Sequence, residues 1–136
     1  MYRVTKQIDF CYGHRLLAYE GKCRHLHGHN GRVEIELEGP ALDERGMVTD
    51  FAEIKRVMKG WIDDQLDHRM VLHRRDPAVP ALRELGEPLH LMEENPTAEA
   101  LARLIFDETR RQGFPVVRVV FWETPDSFAA YAPGGD

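Results

Sequence analysis

Arg32-Val33-Glu34-Ile35-Glu36-Leu37-Glu38 alternates strictly between charged and apolar side chains. Successive side chains of an extended chain point to opposite faces, so this period of two predicts a β-strand with one wet face and one buried face. Gly39-Pro40 ends the strand, and the polar stretch up to Gly46 reads as a loop. Upstream, residues 2–10 alternate more loosely and carry Val4, Ile8 and Phe10, which predicts an earlier strand antiparallel to the first. A hairpin of this kind brings the ends of both strands together.

Beyond the loop the period becomes helical. Asp50 is placed to cap a helix with Glu53 as its capping-box partner, and Phe51, Ile54, Val57, Met58, Trp61 and Ile62 repeat on one face, predicting a helix over residues 51–65. Residues 73–94 contain Pro77, Pro80, Gly86 and Pro88, which predicts a long connection with one short helical turn around residues 81–85. Asn95 then precedes Pro96 as a capping residue, and Ala98, Leu101, Leu104 and Ile105 form the stripe of a second helix that Gly113 and Pro115 stop. Residues 116–123 are β-branched and aromatic and read as a buried strand, with a turn at Pro125-Asp126 and a short last strand through Phe128 and Tyr131. The predicted order is ββααββ, an α+β sandwich.

The composition excludes several classes of function. At 136 residues and 43% hydrophobic content the chain suits one globular domain, residues 1–136. Its apolar runs fall far short of the roughly 20 residues that span a bilayer, and MYRVTKQIDF lacks the continuous apolar stretch of a signal peptide. No membrane association and a cytoplasmic location are therefore expected. Eighteen basic against twenty-three acidic residues argue against nucleic-acid binding through phosphate neutralisation. The two cysteines, Cys11 and Cys23, suit packing, metal binding or catalysis better than a disulfide.

Three of the seven histidines, His25, His27 and His29, lie within five residues in Cys23-Arg24-His25-Leu26-His27-Gly28-His29. On extended backbone His27 and His29 face the same way, so both can grip one ion, while Gly28 points away. A third ligand must come from elsewhere. His14, on the turn after the first strand, is the natural candidate; His25 shares the parity but would crowd three ligands onto one short segment. Three neutral imidazoles and an open position describe catalytic zinc, whereas Cys23 as a fourth ligand would describe a structural site.

Acid and base groups stand nearby in sequence. Cys23 is flanked by Lys22 and Arg24, whose charge favours the thiolate, and Asp67-His68 pairs a carboxylate with a histidine as proton shuttles do. Glu123 ends the buried strand after Phe121-Trp122, where its two oxygens suit a ring with two adjacent N–H donors.

Together these motifs resemble the family of 6-pyruvoyl-tetrahydropterin and 6-carboxy-tetrahydropterin synthases. The resemblance runs nearly end to end, through FCYGHRL (10–16), CRHLHGHN (23–30), DFAEIK (50–55), LDH (66–68), ENPTAE (94–99) and WET (122–124). It implies the tunnelling fold, with a four-stranded antiparallel sheet, two helices on one face and sheets joined into an oligomeric barrel, commonly a homohexamer of two trimers with sites at subunit interfaces. It implies Zn2+ on His14, His27 and His29, Cys23 as base, Asp67 with His68 as relay, and Glu123 as anchor of the pterin, with Thr97 also at the substrate. The implied reaction converts 7,8-dihydroneopterin triphosphate to 6-carboxy-5,6,7,8-tetrahydropterin, acetaldehyde and triphosphate for queuosine synthesis, a branch whose C-x3-HGH spacing this chain shares. The alternatives are triphosphate elimination to the 6-pyruvoyl product and a non-enzymatic zinc- or pterin-binding module. Two features depart from compact members: Asn30-Gly31 replaces a bulkier continuation after HGH, and residues 73–94 are longer. Lys22, Arg24 and Arg15 are candidate triphosphate contacts.

Overall fold

The computed structural model describes residues 1–134; the last two residues of the expected 1–136 domain lie outside the described residues. The two leading strands run beyond their sequence patterns. β1 spans Tyr2–His14 and β2 spans His27–Gly39, paired antiparallel from Tyr2 opposite Gly39 to His14 opposite His27. Val33, Ile35 and Leu37 are fully buried, while Arg32, Glu34, Glu36 and Glu38 keep the wetter face, as the alternation predicts. Charges pair across that face, Arg32 Nε to Asp9 at 2.8 Å and Arg3 Nε to Glu38 at 2.7 Å. Exposed pairs contribute up to about 1 kcal/mol each, so the buried face sets the register.

The first helix, α1 (residues 51–65), forms where predicted. Asp50 caps it by accepting from the Ala52 N–H at 2.8 Å, although Glu53 pairs with Arg56 instead of closing a capping box. Its middle, Lys55–Lys59, is π-wound between the α-helical segments Phe51–Ile54 and Gly60–Gln65. Ile54, Met58, Ile62 and Leu66 are fully buried at strict four-residue spacing. Such a stripe drifts by about 40° per step on 3.6-residue turns, and one wider turn takes up part of the drift.

The expected long connection is where sequence and structure differ most. Residues 69–92 hold a strand, β3 (Arg69–His73), a helix, α2 (Ala78–Glu84), and a strand, β4 (Leu89–Met92). β3 runs parallel to β1, and β4 parallel to β3. After α3 (Ala98–Arg111), β5 (Val116–Thr124) and β6 (Ser127–Tyr131) complete an antiparallel run on the far side of β2. The sheet therefore has six strands in the order β4-β3-β1-β2-β5-β6, and is mixed where four antiparallel strands were expected. The α+β class and the two long helices on one face stand. One core joins Ile54, Met58 and Ile62 of α1 to Leu101, Ile105 and Phe106 of α3 across Phe10, Ile35 and Phe121.

The cap of α3 is Thr97, whose hydroxyl accepts from the Ala100 N–H at 3.1 Å, rather than Asn95. Asn95 instead clamps Leu17, accepting from its N–H and donating to its carbonyl, both at 2.9 Å.

A second clamp holds the same end of β1. Arg15, next to His14, donates from Nε to Asp76 Oδ2 at 2.8 Å and pairs through its terminal nitrogen with Oδ1, which also accepts from the Ala78 N–H at 2.8 Å. Asp76 is buried, and Arg15 is thereby engaged within the chain rather than left for a phosphate. The guanidinium, opposed by burial, holds the Asp76 carboxyl below its ordinary 3.8. A depressed carboxyl adds stability that is full above the unfolded pKa and lost as pH falls through the folded one. Asp76→Asn is expected to cost about 2–4 kcal/mol at neutral pH, with the difference from the parent shrinking below about pH 4. Urea unfolding across that range checks it; a difference independent of pH would remove the charge from the account.

Candidate metal centre

His14 is the last residue of β1, not part of the turn after it, and faces the helices together with Tyr12 and Phe10. His27 is its cross-strand partner, and His29 lies two residues on, opposite Tyr12. The three rings pack edge against face with centroids 4.5–5.1 Å apart, and one nitrogen from each lies within 4.8 Å of the others. Among the described residues this is the group of side chains able to hold a metal ion, and neither His25 nor Cys23 belongs to it.

The hydrogen bonds around the rings decide which nitrogen is free. His14 Nδ1 donates to the Pro96 carbonyl at 2.8 Å, and His27 Nδ1 donates to the His25 carbonyl at 2.7 Å. A ring that donates from Nδ1 keeps Nε2 as a bare lone pair, the arrangement that orients an imidazole toward a metal. Nε2 of His14, His27 and His29 are buried without a partner. Each buried unpaired polar atom costs about 1–3 kcal/mol, so three converging on one point fit an ion that satisfies them together. Burial pushes His14 and His29 below the ordinary histidine value, with Glu123 opposing in both, which favours the neutral ligand form.

Glu123 borders the cluster, its Oε1 3.6 Å from His29 Nε2 and beyond hydrogen-bonding distance. Cys23 sits half-buried in a 3-10 turn, Lys22–Arg24, between β1 and β2, where its carbonyl accepts from the Leu16 N–H at 2.9 Å. Asp67 and His68 are joined at 2.9 Å, and Asp67 lies on the other side of the sheet. Asp67 accepts from the Cys11 N–H at 3.0 Å and borders a cavity of ≈ 750 Å³ with Cys11, Asn30, Arg32 and Trp122, on the face opposite the histidines. Burial works to raise the Asp67 carboxyl, but bonds from His68 and Cys11 outweigh it and hold it below 3.8. His68 has φ of 58°, a left-handed backbone that is uncommon outside glycine. Thr97 borders a separate hollow at the start of α3 with Glu94, Asn95 and Tyr131. One protomer thus assembles the histidines with Glu123 but not with Asp67 and His68.

Sequence reading missed Tyr12 and the role of the Pro96 carbonyl, while it singled out Asn30-Gly31 as a departure from compact members. Tyr12 shares its strand parity with His14, a signal that was available; its ring lies 5.1 Å from His14 and 5.7 Å from His29. Burial, reinforced by the charge of Glu123, pushes its hydroxyl above the ordinary value of 10, so it stays protonated.

The family model for 6-pyruvoyl tetrahydropterin synthase matches residues 3–134. The chain belongs to this family. It is similar to the 6-carboxy-5,6,7,8-tetrahydropterin synthase of Rickettsia bellii, with 36% identity over 94% of this chain and 98% of that one. Its structure is similar to that of an uncharacterized protein from Wolinella succinogenes, with TM-score 0.82, 32% identity and 98% of each chain covered. The Caenorhabditis elegans 6-pyruvoyl tetrahydropterin synthase, 24% identical with TM-score 0.73 over 98% of this chain and 96% of that one, shares the fold. The protein is accordingly a pterin synthase of the lyase type. No helix among the described residues is long and apolar enough to cross a membrane.

Replacing any one of His14, His27 or His29 with alanine is expected to abolish retention of a divalent ion through desalting, read by elemental analysis. Loss in the His25→Ala variant instead would redraw the ligand set.

Proposed function

We propose that this enzyme binds one zinc ion through His14, His27 and His29 and converts 7,8-dihydroneopterin triphosphate and one water to 6-carboxy-5,6,7,8-tetrahydropterin, releasing acetaldehyde and triphosphate. The observation that carries the reading is the convergence of three bare, buried Nε2 atoms beside Glu123. Three nitrogen ligands with an open position suit catalytic zinc. The C-x3-HGH spacing and the names of relatives such as that of Rickettsia bellii favour the carboxy product, a step toward queuosine carried out in the cytoplasm.

Bound zinc supplies Lewis-acid polarisation of the oxygens on the pterin side chain. Glu123 offers two oxygens to two adjacent N–H donors of the pterin ring, which fixes its orientation. Cys23 takes the carbon-bound proton from a turn held to the end of β1 by the Leu16 N–H. Asp67 orients His68 through their 2.9 Å bond, and His68 delivers a proton to the opposite side of the substrate. Because Asp67 lies on the sheet face away from the histidines and His68 is bonded to it, the pair serves a site in a neighbouring subunit. The sheet ends in β4 on one side and β6 on the other. Two open edges of different sequence suit head-to-tail pairing into a closed ring, and two stacked trimers make the proposed hexamer.

Incubating zinc-loaded protein with 7,8-dihydroneopterin triphosphate is expected to yield acetaldehyde and the 6-carboxy pterin; a 6-pyruvoyl product without acetaldehyde would move the enzyme to the other branch, and no conversion would sink both. Cys23→Ala is expected to lose about 10²–10⁴-fold in turnover with zinc content unchanged. Co-refolded His27→Ala and His68→Ala chains, each inactive alone, are expected to recover about a quarter of parental activity if His68 serves another subunit's site in a symmetric assembly. No recovery would return the relay to a single chain.

A further inference from the structure

Among the described residues, four buried side-chain polar atoms have no hydrogen-bond partner; three belong to the histidine cluster and the fourth to a residue whose ring packs against it. Three are the Nε2 atoms assigned to the ion. The fourth is the Tyr12 hydroxyl, on a side chain 3% exposed. Tyr12 is the cross-strand partner of His29 and packs edge-on against His14 and Phe121. Its ring occupies space that depends on Gly31: a Cβ there would stand 3.1 Å from Tyr12 Cε1 and 3.0 Å from Phe121 Cζ. Gly31 is therefore small because an aromatic ring from the facing strand, bearing a buried hydroxyl, fills the place of a side chain there.

A phenylalanine would make the same ring contacts without burying an unpaired hydroxyl, which destabilises a fold. A donor kept unpaired beside three metal-directed nitrogens has the chemistry of a group whose partner arrives with the ligand. Glu123 is suited to the ring edge of a pterin, whereas Tyr12 lies among the histidines, where the oxygens of the 6-side chain would be held. We propose, resting on the pterin reading above, that the Tyr12 hydroxyl donates a hydrogen bond to an oxygen of the pterin 6-side chain, and that Tyr12 with Gly31 is a specificity-determining pair for oxygenated side chains.

The test compares zinc-loaded parent and Tyr12→Phe proteins titrated with neopterin, whose side chain carries hydroxyls, and with 6-methylpterin, whose side chain has none, by pterin fluorescence. Tyr12→Phe is expected to bind neopterin about tenfold more weakly and 6-methylpterin to within about twofold. Zinc content should be unchanged and the Tm equal or higher, because an unpaired hydroxyl has been removed. Unchanged neopterin affinity would overturn the proposal. So would an equal loss for both pterins, or a loss of zinc or a fall in Tm, each of which marks the hydroxyl as structural. A parent protein that binds neither pterin would overturn the pterin reading and this inference together; binding by the parent with both affinities unchanged in the variant removes Tyr12 alone.

Discussion

The antiparallel register of β1 on β2 is the constraint on which the rest of the structure depends. Each strand is 13 residues long, and the pairing sets His14 opposite His27 and Tyr12 opposite His29. Because side chains alternate with a period of two, a slip of one residue would turn His27, His29, Val33, Ile35 and Leu37 to the outer face together. The hydrophobic face that forms the core thus also fixes the three histidines, and no separate device is needed to bring them together. β5 adds Glu123 beside His29 through its pairing with β2, while β3 adds the strand next to His14.

The centre is assembled at some cost to stability. Bare imidazole nitrogens and a lone phenol hydroxyl are buried at one end of the sheet. The compensation is concentrated at the same end. Arg15 reaches the buried Asp76, Asn95 makes a reciprocal pair with Leu17, and the Pro96 carbonyl takes the Nδ1 proton of His14. These bonds span long sequence separations and tie two connections, those before α2 and before α3, to the end of β1 and the residues just after it, so the geometry of the histidines is held from more than one direction. A site supported in this way loses little when an ion arrives, since the rings already face one another.

The two faces of the sheet divide the chemistry. The helix-covered face carries the histidines and Glu123; the other carries a network of charged side chains around Asp9, Arg32, Glu34 and Asp67, with Trp122 donating to Glu34 at 2.9 Å. Groups that sequence proximity and resemblance would gather into one site are separated by the thickness of a sheet. Such a division is the observation behind the proposal that the centre is completed between subunits.

Local pattern was enough to read much of this protein. The strict alternation of residues 32–38, the Asp50 cap with its apolar stripe, and the shared parity of His27 and His29 all depend on neighbours within a turn or two, and each survives in the structure. The strands Arg69–His73 and Leu89–Met92 are not legible in the sequence, because they are only five and four residues long, show no sustained alternation, and depend on parallel pairing across a helical crossover. Nor could the sequence place Asp67 and His68 opposite the histidines, since that depends on how the connection after α1 meets β1. The filling of Gly31 by Tyr12 likewise exists only once two strands are in register. The residue types and periodicities therefore determined which groups could act and which elements would form, while long-range pairing decided which of those groups share a face, because contact across a sheet depends on register and not on distance along the chain.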